Sequence, residues 1–481
     1  MHTVGWILAI DQGTHASRAL LLDGRGAVRF ETHRPIALTR LDVHRVEQDA
    51  LQVLDSVRRV MEAALTYANE RGVAVTVAGL ATQRSTVVAW DGETGMPLYP
   101  ALSWQDTRAE RQLARFASGV RSVEETTGLR ISPHYGVSKL AWLVQEVPAV
   151  AAAAGADRLL LGPLAAFLLY HLLDGAPHCC DVVNAGRTLL CNLEQGNWDN
   201  ELLRASDLHR DWLPCVRPVL HHYGVLCGTS IPLRAVNGDQ NAALCAQGEP
   251  ERDRLVVNAG SGAFIARPIA KRLDPASPLL ISALWSDSVN TRYLLEGTVN
   301  GAGSALRWAR DHLGTVDPET VLAQWPECPG GPPLFLNAVG GLGSPWWKAG
   351  VATRWLEPVE SSSAECCVVG VAESILFLIH ANLIELQRRT SPAREIALSG
   401  GISRSDGWCQ ELADLSRLTV VRLDESEATA RGIGWLAAGR PSAWRQGKVE
   451  RFAPCPNAAL RERYTRFMAA MKRVTGGEIG D

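Results

Sequence analysis

Three short stretches of this chain carry residue types that could do chemistry together. The first is Asp11-Gln12-Gly13-Thr14, with Ser17-Arg18 close behind. A carboxylate, a glycine turn, hydroxyls and a guanidinium at that spacing can cradle a phosphate beside a group able to hold a divalent cation. Asx-type turn capping accounts for Asp11 as well, and an outward-facing strand position for Arg18. The second stretch, Gly260-Ser261-Gly262, repeats the glycine–hydroxyl pattern in the other half of the chain. The third, Gly238-Asp239-Gln240-Asn241, sets a carboxylate after a glycine and beside an amide. Asp239 can accept a hydroxyl proton as a bond to phosphorus forms, or it can cap the helix that starts near Asn241. A base, a cation holder and phosphate donors are what phosphoryl transfer requires.

Those segments need elements that hold them. Ile7–Ile10, Arg18–Leu22 and Ala27–Glu31 read as three strands of a meander, and Gln48–Arg71 carries Leu51, Leu54, Val57, Met61 and Leu65 at helical spacing. Val75–Ala81 reads as a buried strand, Thr86–Trp90 as the start of the next element, and Thr107–Ala117 and Lys139–Gln145 as helices. Strand, glycine turn, strand then returns over Leu255–Asn258, Gly260–Gly262 and Ala263–Ala266. A third glycine turn, Gly400-Gly401, follows Ile396–Leu398 and leads into a helix over Trp408–Leu415. The repetition predicts a duplicated α/β domain, residues 1–247 and 248–481, hinged near Gly238–Gly248 with a nucleotide between the halves. Closure of such a cleft keeps water from the γ-phosphate.

Bulk properties narrow the classes. A chain of 481 residues exceeds one hydrophobic core, and 46% apolar with 21% charged content is that of a soluble globular protein. A net charge of −3 with scattered basic residues argues against a nucleic-acid or acidic-membrane surface. Leu159–Leu173 is the most membrane-like run, but it is too short to span and contains Pro163 and His171, so a buried core helix is expected. Asp11 and Arg18 interrupt the only N-terminal apolar run, which argues against a signal peptide. Eleven cysteines with adjacent pairs Cys179-Cys180 and Cys366-Cys367 make a poor disulfide framework, so buried free thiols in a reducing cytoplasm are expected.

Taken in order, the motifs resemble those of the FGGY carbohydrate kinases of the actin-like ATPase superfamily, and among them the glycerol kinases, over nearly the whole chain. Asp11–Thr14 with Ser17-Arg18 is similar to the family's first phosphate motif, Thr82-Gln83-Arg84 and Ser103–Arg108 to its polyol-pocket segments, and Asn184–Thr188 with Trp198-Asp199 to its linking stretch. Gly238–Ala243 is similar to the catalytic segment and Gly260–Phe264 to the second phosphate motif. Leu295-Glu296-Gly297, Ala302-Gly303, Gly341–Pro345 and Gly400-Gly401 continue the series.

The resemblance implies two actin-like (ribonuclease H-like) domains, ATP and Mg²⁺ as cofactors, Asp239 as general base, and Asp11 with Asp239 at the metal. It implies Thr14, Ser17, Arg18, Gly260, Ser261, Gly262, Gly303, Arg307, Gly401 and Ser405 on ATP. Around a small polyol or sugar it implies Arg84, Ser85, Trp104, His134, Tyr135, Asp239, Gln240 and Phe264. Gly303 and Gly401 would let backbone approach the adenine, although capping and tight packing are the usual uses of glycine.

The acceptor pocket departs from the family pattern. Ser85 stands where the family has Glu after the arginine, which frees volume and removes a charge-assisted acceptor worth roughly 1.5–3 kcal/mol. His134 stands at the family's tyrosine, with Tyr135 one place on, and either could supply the missing phenol contact. Ser405 replaces an Asn, His15 a second hydroxyl, Arg354 a glycine and Lys348 an Asp. The expected function is ATP-dependent phosphorylation of glycerol or a related small polyol or ketose, in the cytoplasm, by a chain that could assemble as a dimer or tetramer. The alternative is a regulatory protein that binds sugar and ATP without turnover.

Overall fold

The strand–turn–strand start forms as its pattern predicts. In the computed structural model, which describes residues 5–120, 122–273, 278–314, 316–423, 427–444 and 447–476, Trp6–Gln12 pairs antiparallel with Ala16–Leu22, placing Asp11 opposite Arg18. The outer ends of both expected domains, residues 1–4 and 477–481, lie outside the described residues. Val28–Pro35 extends the meander. Helix Ala50–Glu70 starts where Asp49 accepts hydrogen bonds from the N–H groups of Leu51 and Gln52, and its Val53, Leu54, Val57, Val60 and Met61 are buried on the face that packs on these strands. Val75–Thr82 lies parallel to the first strand, Pro232–Gly238 parallel to that, and Leu220–Val225 closes the edge antiparallel.

The second half repeats this plan. Arg254–Ala259 and Ala263–Ile269 form the antiparallel pair, and Thr291–Val299 and Leu280–Ser286 extend it. On the other side Glu395–Ser399 and Thr419–Leu423 join in parallel, and Val449–Phe452 closes the edge antiparallel. The correspondence of strands makes Asn258 the counterpart of Asp11, and Ser261 that of Thr14.

Two expectations fail here. Leu159–Leu173 is not one helix: Leu159–Pro163 is a strand paired with Val87–Asp91, and only Leu164–Leu172 is helical. A short apolar run fits either element, and Pro163 can begin a helix but not sit inside one. The longest apolar helix is instead Ala364–Arg389, which by length and composition could cross a membrane but is largely buried within the second half. Cysteine usage also differs, because Cys328 and Cys366 form a disulfide with Cα atoms 5.6 Å apart. Cys366 lies in the first turn of the long helix, where the loop carrying Cys328 meets it; Cys179, Cys180, Cys191, Cys245, Cys367 and Cys409 are buried free thiols.

Helix Ala428–Ala437 comes between strands Thr419–Leu423 and Val449–Phe452 of the second sheet in sequence but packs on the first, against Trp6–Gln12, Val75–Thr82, Pro232–Gly238 and the short helix Asp239–Ala243. Its approach depends on glycine, since a Cβ on Gly432 would collide with the Ala242 carbonyl oxygen. Gly432→Ala is therefore expected to cost about 1–3 kcal/mol by overpacking, read as a lower denaturant midpoint. An unchanged midpoint would mean that this helix can shift without penalty.

Candidate active site

Arg84, two residues beyond the strand Val75–Thr82, is the hub of the first cluster. Gly238 makes room for it, because a Cβ there would lie 2.5 Å from the Arg84 side chain. The guanidinium donates to Asn241 Oδ1 at 2.8 Å and to Gln240 Oε1, lies 3.7 Å from the Asp239 carboxylate, and sits 5.6 Å from the centre of the Phe264 ring. Arg84, Asp239, Gln240 and Phe264 thus meet, with Phe264 supplied by the strand that leaves the second glycine turn. A cleft of about 260 Å³, lined by Asp239, Gln240 and Phe264, runs past Asn258, Ser399 and Thr429 between the second sheet and the starts of helices Asp239–Ala243 and Ala428–Ala437.

A second cluster forms the neighbouring wall. Trp104 is 39% exposed, and its Nε1–H donates to the Thr14 hydroxyl at 3.0 Å, which leaves the Thr14 O–H to donate elsewhere. His134 Nδ1 lies 3.2 Å from the Trp104 carbonyl oxygen. Tyr135 stands beside Arg187, and burial pushes its phenol pKa up. Arg187, in turn, donates to both Glu296 oxygens at 2.6 Å, a buried pair that joins the first half to strand Thr291–Val299 of the second.

Lys139 ties this wall together. Its buried Nζ donates to the carbonyl oxygens of Ser85 at 2.7 Å, His134 at 2.9 Å and Ser103 at 3.1 Å. Burial draws its pKa down to about 7, opposed by the Asp106 carboxylate. Only the ammonium form has three donors for three acceptors, so these carbonyls hold the proton.

On the phosphate side, the Gly260 N–H donates to the Gly262 carbonyl at 2.9 Å, and the start of helix Gly303–Leu313 docks under the turn. Gly303 N–H reaches the Gly260 oxygen at 2.9 Å, and Ala302 and Ser304 N–H groups reach the Ser261 oxygen at 3.1 and 2.9 Å, leaving the Ser261 side chain exposed at the tip. Close packing explains Gly303, whose Cβ would lie 2.8 Å from the Gly260 oxygen, whereas Gly401 borders open space. Arg307 is exposed on the helix that Gly303 begins.

Asp11 is buried at the end of the first strand, with Arg18 Nη1 at 3.6 Å; Arg18 Nε lies 3.5 Å from Glu427, in the turn before helix Ala428–Ala437. Burial pushes the Asp11 pKa up to about 7, the charge of Asp239 adds to it, Arg18 opposes it, and Glu427 adds again. Burial likewise raises Asp239, against the pull of Arg84. The sign of the linkage follows. Asp11 titrates at 3.8 when unperturbed and at about 7 when folded, so between these values the folded chain binds more protons and stability falls as pH rises. Asp11→Asn is expected to stabilise the nucleotide-free protein at pH 8 by on the order of 1–4 kcal/mol, a gain that shrinks at pH 5. Denaturant titrations at both pH values check this, and a destabilised variant at pH 8 would contradict it.

Three expected contacts are not made. Ser17 is fully buried and its hydroxyl is hydrogen-bonded to Ser56 of helix Ala50–Glu70 at 2.8 Å, so it offers nothing to a phosphate. Ser405 is buried too; it caps helix Asp406–Ser416 and donates to the Leu322 carbonyl at 2.5 Å. Ser85 turns its hydroxyl to the Arg187 carbonyl at 3.4 Å from a backbone at φ 65°. Conversely, Arg187 and Glu296 enter the sequence motifs without a stated role, and Lys139 and Glu427 have none assigned, yet all four make contacts in these clusters.

A duplicated α/β chain, with a glycine–hydroxyl turn after the first strand of each half and the Asp239 carboxylate lining a cleft, has the architecture of a two-domain kinase. Residues 6–244 match the N-terminal domain, and residues 255–439 the C-terminal domain, of the FGGY family of carbohydrate kinases, and the chain belongs to that family. Among its relatives, a glycerol kinase of Alkalilimnicola ehrlichii is 33% identical over 98% of both chains. The fold matches a crystal structure of Plasmodium falciparum glycerol kinase with ADP at a TM-score of 0.88, with 20% identity and 98% of each chain covered. It also matches a xylulose kinase from Rhodospirillum rubrum at 0.85, with 20% identity, over 97% of this chain and 99% of that one.

Proposed function

We propose that this carbohydrate kinase transfers the γ-phosphate of ATP to a hydroxyl of glycerol or a related small polyol or ketose, with Asp239 as general base and residues 1–247 and 248–481 as the two domains. The gathering of Asp239, Gln240, Asn241 and Phe264 on Arg84, beside the cleft, carries this reading. An acceptor hydroxyl hydrogen-bonded to Asp239 loses its proton to that carboxylate as the oxygen attacks phosphorus. The raised pKa of Asp239 strengthens it as an acceptor, and Arg84 fixes its orientation. Gln240 and Arg84 hold the other hydroxyls, and Trp104 and Phe264 face the C–H edges. Thr14, Arg18 and the Gly260–Gly262 turn donate to the phosphates.

Asp11 and Asp239 would hold Mg²⁺. The fit rests on charge: Asp11 is buried, Asp239 is half-buried, and the charge of Asp239 pushes Asp11 up, a penalty that a divalent cation relieves. When bound, Mg²⁺ neutralises charge on the phosphates. The use of ATP supports a cytoplasmic location, which cysteine usage does not.

ADP release measured with glycerol, four- and five-carbon polyols and ketoses, compared as kcat/KM, tests the reading. At least one acceptor is expected to raise release well above the acceptor-free rate; none doing so would overturn it. Ser85→Glu is expected to tighten glycerol binding by about tenfold, through a restored charge-assisted acceptor. A flat response would show that this position does not reach the acceptor.

A further inference from the structure

Duplication gives Asp239 a counterpart. In the first half, strand Pro232–Gly238 ends at Asp239 and a helix begins. In the second half, the corresponding strand Thr419–Leu423 leads to Glu427 and helix Ala428–Ala437. The two helices pack together, and Thr429 Oγ1 donates to the Asp239 carbonyl at 3.4 Å. Carboxylates from both halves therefore converge on one place, where Arg18 is shared between Asp11 at 3.6 Å and Glu427 at 3.5 Å. The Glu427 side chain is 13% exposed, makes no capping hydrogen bond to its own helix, and meets two groups besides, the Arg18 guanidinium and the carboxyl of Glu31. A largely buried carboxylate that does not cap its helix, and that is set against a second carboxyl with one guanidinium beside it, calls for another role.

We propose that Glu427 is a positioning residue of the kinase reaction: by sharing Arg18 it keeps the guanidinium from closing on Asp11, so that Asp11 remains open to the divalent cation that accompanies the nucleotide. The inference rests on the kinase reading above. Without Glu427, Arg18 has one carboxylate left in this pairing and closes on it as a bidentate pair. A carboxylate engaged in that way is a poor cation ligand.

Calorimetric titration of the full chain with ADP, with and without Mg²⁺, tests this without turnover. Mg²⁺ is expected to tighten ADP binding by the wild type. Glu427→Gln is expected to cut that Mg²⁺-dependent gain by about five- to tenfold, as coupling energies between contacting groups allow. In an Arg18→Gln background the same substitution is expected to leave the gain unchanged, because no guanidinium remains to close on Asp11. An equal loss in both backgrounds would assign Glu427 to helix stability and overturn the proposal, as would an unaltered gain in the single variant. If Glu427→Gln does not fold, Glu427→Asp carries the same comparison: a smaller loss is expected, again only with Arg18 present. Absence of ADP binding by the wild type would overturn the kinase reading itself, and this inference with it.

Discussion

Asp239→Asn is expected to lower kcat by about a hundred- to ten-thousandfold while leaving a folded protein that still binds nucleotide. The loss comes from removing the carboxylate proposed to take the acceptor proton, since Asn cannot accept it at neutral pH. The fold survives for reasons visible around the side chain. Arg84 keeps its hydrogen bonds to Asn241 and Gln240 when the more distant Asp239 carboxylate, at 3.7 Å, is neutralised. A half-buried carboxylate whose pKa is raised by desolvation is itself a cost to stability, so the variant is expected to stay within about 1 kcal/mol of the wild type. Steady-state kinetics with a denaturant titration separates the two effects, and a variant with normal turnover would remove Asp239 from the chemistry.

Lys139→Met is expected to be the most damaging substitution outside the reacting groups. It leaves the buried carbonyls of Ser85, Ser103 and His134 without their shared donor, at a cost of about 3–5 kcal/mol. Those carbonyls belong to three pieces of the acceptor wall, so kcat/KM for the acceptor should fall by about ten- to a hundredfold. The Lys139 hydrogen bonds among the described residues go to Ser85, Ser103 and His134 and not to the glycine turns, so KM for MgATP should change by less than about threefold. A uniform loss for both substrates would mean that Lys139 supports the fold and not the pocket.

What the chain discloses before folding depends on whether a feature is local. The Asp11–Arg18 hairpin is legible because strand alternation and a glycine turn act over a dozen residues. The motif misleads at Ser17: its neighbour Arg18 points to Asp11 and Glu427, so Ser17 points the other way, onto helix Ala50–Glu70. A motif transfers residue types without their directions, which is also why Ser405 turned out to be a helix cap. The role of Lys139 is not legible in sequence because its three acceptors come from separate segments. Glu427 could have been found from the duplication, had the strand after Gly400-Gly401 been aligned with the one that ends at Gly238. The Cys328–Cys366 bond depends on a meeting of loop and helix that no spacing rule encodes.

Phosphorus NMR of the wild-type protein with MgATP and its best acceptor tests the central claim most directly. The account predicts a phosphomonoester resonance that grows in step with ADP, with no inorganic phosphate beyond the acceptor-free level. ADP accompanied only by inorganic phosphate, or acceptor and nucleotide bound with no product at all, would contradict it. The latter result would mark the chain as a binding protein built on a kinase fold.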